Sequence, residues 1–219
     1  MSVASASVAD STDRVTREIP EEELFRARLY SLLARLLAAA PDAALLAALG
    51  RISGDASELG QAFAALARGA AAASAADAAA EYHDLFIGIG RGELLPYGSY
   101  YLTGFLHEKP LAELRDALAG LGVVRVPEVK EPEDHIAALC EVMAGLIEGA
   151  FGDSAPLTVQ RRLFERHIAP WAARFFAELE AAKTAEFYRA VGRVGRLFIG
   201  IETIAFAMTP SDELDRRAT

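Results

Sequence analysis

EPEDHIAALCEVMAGLI, residues 131–147, sets a proline, three acids and a histidine directly ahead of a long apolar run. The order is that of a helix start. Pro132 suits the first helical position, where a missing N–H leaves nothing unpaired. Glu133 and Asp134 fall in the first turn, where free N–H groups and the helix dipole favour carboxylates. The spacing predicts a helix from Pro132 to about Gly149, with Cys140 inside its apolar pattern. This reading explains Pro132 and Glu133. It gives no special account of Asp134 beside His135.

The same periodicity extends in both directions. Phe25, Leu29, Leu32, Leu33, Leu36 and Leu37 recur at helical spacing after Pro20 and three glutamates, and Pro41 ends that segment. A short helix reaches about Leu49. Residues 56–86 are rich in alanine, the best helix former, and read as two helices broken between Gly69 and Ser74. Pro110 opens another helix, closed by Gly122. Further helices cover about 156–168, then from Pro170 with Trp171, Phe175 and Leu179 on one stripe. The last runs from about Thr184 to Met208, its buried face marked by Phe187, Val191, Val194, Phe198, Ile201, Ala205 and Met208. The segment LFIGIGRGELLPYGSYY is a loop by its glycines and proline, but an unusually apolar and aromatic one. No strand pattern of any length appears. The expectation is one all-α globular domain, residues 19–210, of roughly nine to eleven helices. A central hinge falls at about 123–131, with a disordered N-terminal tail at 1–18 and a C-terminal tail at 211–219.

Bulk properties bound the function. The 219 residues are 53% hydrophobic and 24% charged, a globular composition with enough chain for a full core. A formal net charge of -9 argues against nucleic acid, whose phosphates need a basic footprint, and favours a basic peptide or protein as partner. The single cysteine, Cys140, cannot form an internal disulfide and reads as a small core residue. The N-terminus has no apolar core of signal-peptide type. The most apolar stretch, Val191 to Met208, contains Arg193, Arg196 and Glu202 and is not a membrane span. The expected location is the cytoplasm.

Enzyme chemistry finds little footing. Gly88-Ile89-Gly90-Arg91-Gly92 lacks the preceding strand and the following lysine of a phosphate-binding loop. His83-Asp84 is similar to the paired ligands of helical HD-type metal-dependent hydrolases, but no histidine precedes it to complete such a site. Glu131 and His135 stand at i, i+4, and one pair is not a metal site. Ser99 lacks the second glycine and the strand of a nucleophile elbow. No catalytic residue, metal or cofactor is assigned.

Several separated motifs occur together and in order: YHDLFIGIG, LPYGSYYLTG, EPEDH ahead of AALCEVMAGLI, RRLFERHIAPWAARFFAEL and FYRAVGRVGRLFI. In this conjunction the chain resembles the TorD/DmsD/NarJ-type chaperones of redox-enzyme maturation over roughly residues 25–208. The resemblance implies an all-helical, non-enzymatic cytoplasmic chaperone. Its partners would be the apoprotein of a molybdenum-cofactor oxidoreductase and that enzyme's twin-arginine signal peptide, with export delayed until the cofactor is inserted. The alternative is an HD-like hydrolase. Carried over residue by residue, the recognition surface is Tyr82, Leu85 and Phe86, then Pro96, Tyr97 and Ser99, then Pro132, Asp134 and His135. Asp134 would accept from an arginine, orient His135, or both. The aromatics would give the apolar segment of the peptide its groove. The resemblance also implies a monomer that can exchange halves across the hinge as a dimer.

Overall fold

The computed structural model describes residues 3–5, 19–126 and 130–209. Among them are ten α-helices: α1 (Glu21–Ala38), α2 (Ala43–Leu49), α3 (Glu58–Ala72), α4 (Ala75–Tyr82), α5 (Gly98–Thr103), α6 (Lys109–Gly120), α7 (Ile136–Glu148), α8 (Leu157–Leu163), α9 (Ala172–Ala181) and α10 (Phe187–Met208). The fold is all-α, as the periodicity requires. Two π-helical turns, His83–Ile87 and Phe164–Ile168, prolong α4 and α8. Each inserts a residue into a helical ladder and re-aims the side chains beyond it.

The core is built around α7, the most apolar helix, whose residues Ile136 to Cys140 and Val142 to Ile147 are all buried. Helix α1 packs along it, and α10 packs against α9 and α3. Small residues set the α9–α10 approach. A Cβ on Gly192 would fall against the backbone of Glu180, and one on Gly195 would fall inside the Phe176 ring. Trp171, Phe175 and Leu179 form the expected buried stripe, and Cys140 is fully buried, which pushes its thiol up to about 12.

Three local readings need correction. First, α7 begins at Ile136 with His135 as its N-cap, so Glu133 and Asp134 precede the helix and Pro132 is not its first residue. Residues 132–135 instead form a turn closed by His135 N–H to Pro132 O (3.2 Å), held by hydrogen bonds to the loop at Pro96–Gly98, as described below. Second, the inner face of α10 follows Val191, Gly195, Phe198, Glu202 and Phe206, while Ile201, Ala205 and Met208 face solvent. The apolar residues suggested a stripe closer to a 3.5-residue period, and an inward-turned glutamate hides the true face. Third, Val123–Arg125 forms a short antiparallel pair with Val3–Ser5, in the register Val3↔Arg125, Ala4↔Val124, Ser5↔Val123. A three-residue strand pairing so far along the chain leaves no local pattern. The remainder of the expected 1–18 tail, the 211–219 tail and hinge residues 127–129 lie outside the described residues.

Candidate functional site: a two-motif junction between α5 and α7

The site grows from the loop between α4 and α5. The π-helical turn ends at Gly88, whose φ of 60° and N–H to the His83 carbonyl (2.7 Å) reverse the chain. The returning strand of loop ties back through Glu93 N–H to Asp84 O and Leu94 N–H to Leu85 O. Leu85, wholly buried, anchors this turn. The next residues then meet EPEDH. Ile136 N–H donates to Pro96 O (2.9 Å) and Gly98 N–H donates to Asp134 O (3.0 Å), so Tyr97 and His135 face each other as an antiparallel bridge. The two motifs that stand apart in sequence are one junction in space.

Each member of the Asp134-His135 pair caps a different helix. Asp134 Oδ2 accepts from Ser99 N–H at 2.7 Å, at the N-terminus of α5, where free N–H groups favour a carboxylate. His135 Nδ1 accepts from Ala137 N–H at 3.1 Å, at the N-terminus of α7. Asp134 therefore does not orient His135, contrary to one branch of the sequence expectation. Burial lowers the His135 pKa to about 4, so at neutral pH the ring is an uncharged acceptor, as its capping role requires. Asp134 is 3% exposed and Ser99 is fully buried, yet Asp134 Oδ1 and Ser99 Oγ have no hydrogen-bond partner.

The surface over this junction is aromatic. Tyr97 sets its ring edge-on to His135, with centroids 5.1 Å apart. Its hydroxyl donates to Glu131, and burial together with that bond raises its pKa. Tyr82 packs on Phe86 at 5.1 Å, Phe86 on Tyr188 at 5.6 Å, and the Tyr82 hydroxyl reaches Leu37 O. Leu85, Pro96, Ser99, Asp134 and His135 are buried; Tyr82, Phe86, Tyr97 and Pro132 are half-buried. Glu131 is exposed and is the carboxylate at the rim of the patch.

Three carboxylates were missed as site residues. Glu131 is the first letter of the motif, considered from the sequence only as one of an i, i+4 pair with His135. Glu81 accepts from the N–H groups of Glu186, Phe187 and Tyr188, capping α10 just below Tyr188. This cap also explains why α10 starts at Phe187 and not at Thr184. Glu93 accepts from the N–H groups of Lys183 and Thr184, closing the loop onto the α9–α10 turn. No local signal marks either, because both partners lie far along the chain. Helix α5 was also missed: GSYYLT is short, and its start depends on Asp134 and on Gly98, where a Cβ would meet the Trp171 indole at 3.0 Å. His83 and Asp84 are exposed, with 3.4 Å between them, and among the described residues no three His, Cys, Asp or Glu side chains are grouped to hold a metal ion.

Residues 53–177, which contain the whole junction, match the family model described as nitrate reductase delta subunit. Chaperone protein TorD of Vibrio cholerae serotype O1 is 31% identical over 128 residues, covering 55% of this chain and 58% of that protein. Chaperone protein TorD of Vibrio atlanticus is 28% identical over 132 residues, 57% of this chain and 61% of its own length. The match thus spans a little over half the length of these relatives. A crystal structure from Archaeoglobus fulgidus, titled as a redox enzyme maturation protein, superposes with a TM-score of 0.53 at 19% identity, over 86% of this chain and 99% of that one, and shares the fold. With its helical fold and the family match extending over more than half of its residues, the chain belongs to the nitrate reductase delta subunit family, the group that includes the TorD/NarJ-type proteins.

Proposed function

We propose that the protein is a non-enzymatic chaperone of redox-enzyme maturation, acting in the cytoplasm. It binds the apoprotein of a molybdenum-cofactor oxidoreductase and the twin-arginine signal peptide of that enzyme, and delays export until the cofactor is in place. The observation that carries this reading is the junction itself. Two buried polar atoms without partners, Asp134 Oδ1 and Ser99 Oγ, lie beneath a half-exposed aromatic surface with Glu131 at its rim. A carboxylate beside aromatic area suits a segment in which arginines precede an apolar run. The relatives named as TorD chaperones support the class of function.

In this reading Glu131 takes the first arginine at the surface. Tyr82, Phe86, Tyr97 and Pro132 accept the apolar segment, while Leu85, Pro96 and His135 hold the platform. Asp134 and Ser99 offer an inner acceptor pair to a guanidinium that enters beside Tyr97. The test is calorimetric titration of a synthetic peptide with two arginines ahead of a leucine-rich segment. Loss of one charge-assisted contact is worth about 1.5–3 kcal/mol, so Glu131→Gln should weaken binding at least tenfold. Tyr97→Ala should weaken it comparably. Equal affinity of both variants and wild type would refute this placement of the peptide.

A further inference from the structure

The fold is helical, yet β1 (Val3–Ser5) lies on β2 (Val123–Arg125) as an antiparallel strand. Among the described residues these two strands, three residues each, are the whole sheet. A ladder that short has little stability of its own in water. Its position matters more. Val123 is 4% exposed and belongs to the core, while Val124, opposite Ala4, is 54% exposed. One face of β2 is therefore fixed to the fold and the other opens to solvent. β1 also touches α7, the apolar helix whose N-cap is His135. Along the chain β2 leads through residues 126–130 into EPEDH. The ladder is thus linked to the α5–α7 junction twice, by α7 and by the chain that follows β2, without being part of it.

We infer that the edge of β2 is a docking site for an extended, uncharged segment of a partner polypeptide, and that β1 holds this edge in the free chain. The occupant is read from what sits there. Residues 3–5 are Val, Ala and Ser, so the edge takes extended backbone with small side chains. Main-chain hydrogen bonds make such a ladder, and they are the same for any segment of that kind, so one strand can replace another. An open strand edge is also a hazard, since it is a template for pairing with other chains, and a short covering strand removes it. The register sets the direction. β2 runs from Val123 to Arg125 toward EPEDH, and Val3 pairs with Arg125. A partner strand of the same polarity has its amino-terminal end on the junction side of β2. A polypeptide held at the junction by an arginine and apolar segment therefore lays on β2 the residues that follow. That this polypeptide is a client enzyme rests on the chaperone reading above; the docking edge does not.

The test is complementation by peptide, read by NMR on the amide signals of Val123, Val124 and Arg125. A chain lacking residues 2–6 should stay folded with these signals displaced. The free peptide Met-Ser-Val-Ala-Ser-Ala, residues 1–6, should return them to their wild-type positions. The full chain, whose edge is filled, should bind the same peptide at least about tenfold more weakly. Alternate N–H groups of a strand face its partner, so of two N-methylated peptides, one blocked at Val3 and Ser5 and the other at Ala4, one should bind and one should not. On the shortened chain, Val-Ala-Ser added to the carboxyl end of the twin-arginine peptide should tighten binding at least about tenfold. Signals that the peptide does not restore overturn the inference, as does equal binding by both methylated peptides. So does unfolding of the shortened chain, which makes β1 a fixed part of the core. So does a wild-type dimer that the deletion dissociates, which assigns the edge to a second copy. A twin-arginine peptide that binds but gains nothing from the extension overturns it while the signal-peptide site stands. If residues 1–6 complement while no twin-arginine peptide binds, the docking edge stands and the proposed signal-peptide site fails.

Discussion

Asp134→Ala is the sharpest perturbation of the junction, because its two readings differ in sign of emphasis. A carboxylate in an open first turn would cost only about 0.3–1 kcal/mol of stability when removed. The structure places it otherwise. Asp134 is 3% exposed, and its Oδ2 is the acceptor for Ser99 N–H at 2.7 Å, at the start of a helix only six residues long. Alanine leaves that buried N–H without a partner and removes a charge-assisted bond, which together cost about 2–3 kcal/mol. For a chain of this size each kcal/mol moves the melting temperature by about 2–4 °C, so a fall of about 4–12 °C is expected. Asp134→Asn keeps an amide oxygen for Ser99 and loses only the charge, so it should fall by less than half as much. Thermal unfolding by circular dichroism, backed by urea titration, reads both. Peptide titration on the folded variants then separates support from contact. If Asp134→Ala melts within 2 °C of wild type, the capping argument fails.

Glu202→Ala removes two bonds of Arg26, which keeps Glu23 and Gln160, and leaves the fully buried Tyr30 hydroxyl without its acceptor, so chemical denaturation should show a loss of about 2–3 kcal/mol. Glu81→Ala frees the three N–H groups that open α10 and should cost about 1–3 kcal/mol, with the earliest hydrogen exchange in residues 186–190. Gly195→Ala drives a methyl into the Phe176 ring and should destabilise by at least about 1–3 kcal/mol, against the gain alanine normally brings to a helix. For His135, whose folded pKa is lowered to about 4, the unfolded chain binds the proton first. Its contribution is complete above about pH 6.5 and is lost as pH falls toward 4, by on the order of 3 kcal/mol. His135→Asn keeps an acceptor for Ala137 and cannot titrate, so the drop in melting temperature between pH 7 and 4.5 should shrink in that variant; an unchanged drop would exclude His135 as a source of acid sensitivity.

Much of this protein is legible in one dimension. Helix period, proline starts and glycine stops are local properties of the chain, and they place α1, α2, α3, α4, α6 and α9 to within a few residues. The junction residues could be named too, since YHDLF, LPYGS and EPEDH form a recognisable set, and Tyr97 and His135 do stand together, ring edge to ring. What a side chain does there could not be read. Whether Asp134 faces solvent or caps α5 depends on a backbone bridge between residues 97 and 135. Whether Glu202 marks the outside of α10 or its inside depends on Arg26, far back in the chain, being there to neutralise it. Local pattern reports the cost of burying a charge or leaving an N–H unpaired, and only the tertiary structure supplies the distant partner that removes that cost.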